Sequence, residues 1–203
     1  VLFRSADVVR ARELGIPRRH RSELLAVYVS RHQTIAVTGT SGKSTVTAMV
    51  WTLLHGCGLD PRLLTGGPVA ALQAEGLLGN AHGGDRPAER PLLVIEADES
   101  DGSLVRYHPW AGVVLNLGRD HKEPAEVAAM FSALRLQCGG PLVVGEDATL
   151  DFLRPGAVTF GLGARADVRA EDVALGARQV AFRVGGVRFT VPQPGLHTVL
   201  NAL

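Results

Sequence analysis

Residues 34–45, TIAVTGTSGKST, decide how this chain is read. Ile35–Val37 is a short apolar strand that runs into a turn bracketed by glycines. Gly39, Thr40, Ser41 and Gly42 form the turn, and Lys43, Ser44 and Thr45 open a helix. A nucleoside triphosphate needs that order. The glycines let backbone N–H groups close around phosphate oxygens, Lys43 brings a cation to the β- and γ-phosphates, and Ser44 offers a hydroxyl to Mg²⁺. The helix also directs its positive end at the same anion. Val37 stands where the longer GxxxxGK[ST] form has its first glycine, so the match is the shorter GTxGK[ST]. A surface Gly/Ser turn is the bland reading, and the strand before the turn argues against it.

Outward from this stretch the chain reads as an α/β domain with a mostly parallel sheet flanked by helices. Lys43–His55 is a helix, with Val46, Met49, Val50, Leu53 and Leu54 expected on its buried side. A segment around Arg62–Thr65 leads to a Gly66-Gly67-Pro68 turn, and residues 79–90 (GNAHGGDRPAER) read as a mobile loop. Pro91–Ile95 and Ala111–Leu115 are continuous apolar runs, which suit parallel strands covered on both faces. Glu123–Leu136 is expected to be a helix, with strands at Pro141–Val144 and Ala157–Phe160. Near the C-terminal end, Val180, Phe182 and Val184 alternate, Gly185-Gly186 makes a two-residue turn, and Val187, Phe189 and Val191 alternate again. That pattern is a hairpin in a small antiparallel subsheet.

Composition narrows the partners. With 21 basic and 20 acidic residues the net charge is +1, so neither nucleic acid nor an acidic membrane is expected as a partner. The cluster RRHR at Arg18–Arg21 reads as a solvated face or a domain junction. Cys57 and Cys138 are far apart with no CxxC spacing, as in idle thiols of a reducing compartment. No signal peptide is visible and no apolar run reaches the about 18 residues of a membrane span, so a cytoplasmic location is expected. There is no initiating Met, and the helical pattern of HTVLNAL stops abruptly, so a piece of a longer protein is expected.

Two further strand ends carry chemistry. The run at Pro91–Ile95 leads into Glu96-Ala-Asp98-Glu99-Ser100-Asp101, four carboxylates in six residues. Open α/β sheets place their ligand sites at such carboxyl ends. Like charges this close call for a cation, and Glu96, next to the strand end, is the expected second Mg²⁺ ligand beside Ser44. A helix start capped by Asp98 or Ser100 is the competing reading, and both can hold together. The second run leads into Asn116-Leu-Gly118-Arg-Asp120-His121. Asn116 offers a donor and an acceptor, which suits an adenine edge or a water network. His121 beside Asp120 is a metal ligand, a phosphate contact, or one half of a loop hydrogen bond.

GTSGKST, EADESDGS and NLGRDH, in that order, together resemble the Mur ligases, the ATP-dependent amide-forming enzymes of peptidoglycan precursor synthesis. The tail PGLHTVLNAL resembles the PGxHNxxNA segment that closes the family's central domain, and residues 6–25 resemble the exit from its N-terminal domain. The resemblance implies a tail of a UDP-sugar-binding domain over 1–32 and a truncated central ATP-binding domain over 33–203, without the C-terminal domain. It implies ATP and Mg²⁺ as cofactors, with a UDP-N-acetylmuramate-type nucleotide sugar and an amino acid or peptide as partners. It also implies roles: Lys43, Glu96 and His121 in catalysis, Ser44, Glu96 and His121 at metal ions, and Asn116, His197 and Asn201 at the adenine. Such a fragment is not expected to ligate by itself.

Within the family, EADESDGS resembles the UDP-N-acetylmuramate–L-alanine ligases and the ligase that recycles murein tripeptide. The absence of lysine from Ser132–Gln137 fits the alanine-adding branch. There are departures. Thr198 replaces the first Asn of HNxxN, leaving one adenine contact open, Lys122 stands where an apolar residue is frequent, and GTSGKST replaces GTHGKTT. A P-loop kinase or simple NTPase would share GTSGKST but has no need of the other two strand ends. A degenerate nucleotide-binding module would keep the fold without the chemistry.

Overall fold

A computed structural model describes residues 5–118 and 123–203. In chain order the elements begin with α1 (Ala6–Glu13), α2 (Arg21–Ser30), β1 (Gln33–Thr38), α3 (Lys43–Gly56) and β2 (Arg62–Leu64). Next come α4 (Ala70–Ala74), β3 (Ala81–His82), β4 (Leu92–Glu96), β5 (Ala111–Val114), α5 (Pro124–Gln137), β6 (Leu142–Gly145), β7 (Val158–Gly161) and β8 (Val168–Arg169). A second group holds β9 (Glu171–Leu175), β10 (Val180–Val184), β11 (Val187–Val191) and α6 (Leu196–Ala202).

The first eight strands form one sheet in the order β3-β2-β4-β1-β5-β6-β7-β8, and β9–β11 form a separate sheet of three. Every pairing in the large sheet is parallel except β2 with β3. β1 lies between β4 and β5, with Val37 opposite both Glu96 and Val113. The carboxyl ends of β1, β4 and β5 therefore share one edge of the sheet, where the chain's path reverses direction and a crevice opens.

The continuous apolar runs are explained by cover on both faces. Leu93 and Ile95 of β4 join Ala36, Val114, Phe131 and Leu134 in one core, to which α2 adds Val29. Val94, between them in β4, points the other way and packs with Trp51, Leu63, Val69 and Leu72. The inward face of α3 matches the expected one at Val46, Val50 and Leu54 and differs elsewhere. Val46, Thr47 and Trp51 are buried, whereas Leu53 is 67% exposed and Met49 half-buried. Trp51 takes the inward position because its ring fills the space over β2 while its indole N–H donates to the Pro61 carbonyl at 2.8 Å.

Residues 79–90, read as a mobile loop, are tied down at two points. Ala81 and His82 pair with Leu64 and Leu63 of β2. The Asp60 carboxylate accepts the backbone N–H groups of Asp85 (2.9 and 3.0 Å) and Arg86 (2.7 Å). These bonds hold the Asp60 carboxyl below its ordinary value of 3.8. A carboxyl depressed in the folded state stabilises above its unfolded pKa and loses that contribution as pH falls through the folded value. Protease cleavage within 83–90 is therefore expected to be slow at neutral pH and to accelerate once pH drops below about 3.8, the unfolded carboxylate range. Asp60→Asn should show the fast cleavage already at neutral pH. Equal cleavage of both proteins at every pH would sink the assignment.

The hairpin forms as expected, with Val184 opposite Val187 and Phe182 stacked on Phe189 at 5.7 Å. The third strand, β9, has no alternating apolar pattern, because both its ends are exposed. Cys57 and Cys138 are both free thiols, and burial pushes Cys138 up to about 11. Among the described residues no helix is long and apolar enough to cross a membrane.

Candidate nucleotide site

The loop between β1 and α3 takes its shape from two glycines. Gly39 has φ 139°, and a Cβ there would lie 3.0 Å from the Leu115 Cβ and 3.1 Å from the Asn116 nitrogen. The ends of β1 and β5 thus approach more closely than a side chain allows. Gly42 caps α3 at φ 90°, and a Cβ there would meet the Asn201 Oδ1 at 2.8 Å. No side chain caps α3. The first-turn N–H groups of this helix stay available to an anion, at the end where the helix dipole is positive.

Side chains stitch this loop to its neighbour. The Asn116 Oδ1 accepts the Ser41 N–H at 2.9 Å, and its Nδ2 donates to the Ser41 carbonyl at 2.9 Å. The Thr40 hydroxyl accepts the Gly118 N–H at 2.8 Å, and the Thr40 N–H donates to the Asn116 carbonyl at 3.2 Å. Asn116, read from sequence as a partner for adenine, therefore has both ends of its amide on the loop backbone. His121 lies outside the described residues.

The four carboxylates after β4 separate into distinct roles. Glu96 accepts the Thr65 hydroxyl at 2.9 Å and the Gly66 N–H at 2.7 Å. Asp98 closes its own turn on the Ser100 N–H (3.1 Å) and hydroxyl (2.7 Å). Burial pushes the Asp98 carboxyl up, but Ser100 and the Lys43 charge outweigh it and leave it below the ordinary range. Asp101 accepts the Ser103 N–H at 2.8 Å, at the start of a 3-10 turn over Ser103–Arg106, so the expected helix start is a single tight turn. Glu99 is the buried one, 4% exposed, and it accepts from the Lys43 ammonium at 3.1 Å. Nothing in the sequence spacing distinguishes Glu99 from its three neighbours. Its role comes from the twist of the turn that brings it under Lys43.

Ser44 and Glu96 converge on one glycine pair. A Cβ on Gly66 would lie 3.1 Å from both Glu96 carboxylate oxygens, and one on Gly67 would lie 3.5 Å from the Ser44 Cβ. The absence of side chains at Gly66 and Gly67 lets this backbone lie close to both Glu96 and Ser44. Two hard oxygen donors beside a phosphate loop suit Mg²⁺, which binds through few protein ligands and completes its shell with phosphate and water.

Beside the loop is a cavity of about 450 Å³, bounded by Asn116 and Thr45 on one side and by Phe160, Gly145 and Asp147 on the other. His197, Leu200 and Asn201 of α6 form its third wall. The His197 ring lies over Gly195, where a Cβ would come within 2.7 Å of Nδ1. Thr198 faces elsewhere: it is 1% exposed and donates its hydroxyl to the Pro194 carbonyl at 2.9 Å. Thr198 itself is therefore not one of the residues lining the cavity. Glu146 and Asp147, after β6, are cavity residues that sequence reading missed, because GEDATL carries no pattern beyond a turn.

A parallel sheet, a glycine turn, a lysine and hydroxyl at an uncapped helix start, and a carboxylate on the next strand end define a P-loop α/β domain. The Mur ligase middle domain matches residues 37–203, and the chain belongs to the Mur ligase family. It is 37% identical over 211 residues to the UDP-N-acetylmuramate–L-alanine ligase of Paenarthrobacter aurescens (strain TC1), a match covering 97% of this chain and 44% of that protein. It is 39% identical to the enzyme of the same name from Kineococcus radiotolerans, covering 97% and 43%. Among solved structures, the UDP-N-acetylmuramate-alanine ligase of Thermotoga maritima superposes with a TM-score of 0.83 at 27% identity, over 99% of this chain and 47% of that one. The UDP-N-acetylmuramate:L-alanyl-γ-D-glutamyl-meso-diaminopimelate ligase of Neisseria meningitides gives 0.79 at 26%, over 98% and 68%. The chain spans less than half the length of these curated relatives.

Proposed function

We propose that this chain is the nucleotide-binding part of an ATP-dependent ligase of peptidoglycan precursor synthesis that joins L-alanine to UDP-N-acetylmuramate. The observation that carries the reading is the uncapped start of α3 beside Lys43, with Ser44 next to Gly67 and Glu96 next to the adjoining Gly66. The relatives' names supply the substrates. The reading places residues 1–32 at the exit of a UDP-sugar-binding domain and 33–203 in the central domain, in a cytoplasmic enzyme. The fragment alone would not turn over.

In the reaction, a substrate carboxylate oxygen attacks the γ-phosphorus of ATP, and ADP leaves. The acyl phosphate so formed is attacked by the amine, which loses a proton as the amide forms and inorganic phosphate departs. Two anions must meet, so catalysis is largely charge neutralisation and positioning. The N–H groups of the loop and of the first turn of α3 would hold the phosphates, and Lys43 would face the β- and γ-phosphates. Ser44 and Glu96 would hold Mg²⁺, which lowers the negative charge where the carboxylate approaches. His121 is assigned a second metal ion, by the family resemblance. His197 and Asn201 would border the adenine, while Asn116 keeps Ser41 in place and so shapes the loop.

The similarity to the Neisseria ligase favours a second reading, in which a murein tripeptide replaces L-alanine. One assay separates them. The complete parent protein, with Mg-ATP and UDP-N-acetylmuramate, is offered L-alanine, glycine, L-serine and murein tripeptide in turn, and phosphate release is measured. Release only with L-alanine is expected. Release only with tripeptide would move the chain to the second reading, and release with neither carboxylate nor amine present would make it a simple NTPase.

A further inference from the structure

We infer that Glu99 is the positioning residue of Lys43, holding its ammonium in place before any nucleotide arrives. The inference rests on the nucleotide-site reading above. Glu99 is 4% exposed, and a carboxylate at that depth needs a partner. Its Oε1 accepts from the Lys43 Nζ at 3.1 Å, and its Oε2 lies 3.5 Å from the Thr38 hydroxyl, at the last residue of β1. The same Nζ donates to the Gly39 carbonyl at 2.9 Å.

An ammonium has three donors. Two of them are directed at Glu99 and Gly39, both on the wall of the loop, and one remains. A lysine stem is long and flexible, so an unanchored Nζ would sample many positions. With two acceptors fixed, the nitrogen stays at the loop and its third N–H is left for the ligand. The other carboxylates of the strand end do not share this task. Asp98 Oδ1 lies 3.7 Å from Nζ, beyond hydrogen-bond reach, and both its oxygens are taken by Ser100. Glu96 is held by Thr65 and Gly66, and Asp101 by Ser103 and Arg21. Among the described residues Glu99 is the one carboxylate hydrogen-bonded to Lys43.

A positioning role and a merely structural ion pair differ in what they move. Removing the charge of Glu99 frees the lysine, which costs geometry in the transition state. It also removes a negative charge from the phosphate site, which offsets the loss of order in the ground state. In the complete parent protein, Glu99→Gln is therefore expected to lower kcat at least about tenfold while the Kd for Mg-ATP changes less than about threefold. In the nucleotide-free protein, the Lys43 ammonium ¹⁵N signal, protected from exchange with water by its two acceptors, should disappear.

An unchanged kcat, a kcat and affinity that fall together, or an ammonium signal that persists in Glu99→Gln would each overturn the inference. If that variant does not fold, Glu99→Leu fills the same buried volume without a polar group and is read the same way. Failure of the wild-type protein to bind Mg-ATP would instead overturn the nucleotide-site reading. The ammonium signal would then still decide whether Glu99 holds Lys43.

Discussion

Lys43→Ala is expected, on the proposed ligase reading, to reduce phosphate release by the complete parent protein at least about a thousandfold, the scale that follows when a group stabilising developing charge is removed. The reason lies in the crowding of negative charge at this sheet edge. Glu96, Asp98, Glu99 and Asp101 all lie within one turn of the end of β4. Lys43 approaches two of them, at 3.1 Å to Glu99 and 3.7 Å to Asp98. Without it, a triphosphate and a substrate carboxylate would enter a site already holding an uncompensated buried carboxylate. The effect should fall on turnover and on nucleotide affinity together, because the lysine serves both. Thermal unfolding of the variant should show a folded protein with a lowered Tm, because Glu99 is left buried without its partner cation. A Lys43→Ala enzyme within tenfold of wild type would remove the P-loop from the mechanism.

Trp51→Ala is expected to destabilise the fold by about 3–5 kcal/mol. The side chain is 2% exposed, packs against Leu63, Val69, Leu72 and Val94, and stacks on His55 at 4.9 Å. Its removal leaves a cavity between α3 and the sheet and strands the Pro61 carbonyl that now accepts the indole N–H. For a domain of this size the loss corresponds to a Tm lowered by roughly 6–20 °C. Trp51→Phe keeps most of the volume and loses the hydrogen bond, so it should cost much less. If the two variants melt alike, the indole N–H and not the packing accounts for the effect.

The parallel sheet and its loop were legible because the signals are local and redundant. TIAVTGTSGKST holds strand, turn and helix start within twelve residues, and strands covered on both faces appear as uninterrupted apolar runs such as LLVI. The inward face of α3 was read in part: Val46, Val50 and Leu54 pack inward as expected, whereas Trp51 was missed and Leu53 faces solvent. Met49 and Leu53 are as apolar as Val46 and Val50, and only packing against distant parts of the chain turns Trp51 inward and Leu53 to solvent. β2, β3 and β8, of three, two and two residues, are too short to carry any period.

At the site, residue types were legible and pairings were not. Glu96 lies against Gly66 and Ser44 against the adjoining Gly67, but the partner of Lys43 is Glu99, three residues beyond Glu96. Asn116 was chosen for its donor and acceptor, and it uses both, on the backbone of Ser41. Sequence shows what a side chain offers. Which neighbour takes the offer depends on loop geometry that no short window contains.

The two-residue strands β3 and β8 have a further meaning at the margins of the large sheet. A free strand edge invites pairing by another chain, and short edge strands are one of the ways that proteins discourage it. Here each border offers only two residues, and beyond β3 the chain turns away through a glycine-rich bend fastened by Asp60. A misfolding neighbour therefore finds little template along the large sheet. The longer margins are those of the small sheet, β11 and β9, each five residues long, with Val187 and Phe189 exposed on the first and Leu175 on the second. Guarding this protein against aggregation is thus a matter of the small sheet and its two margins.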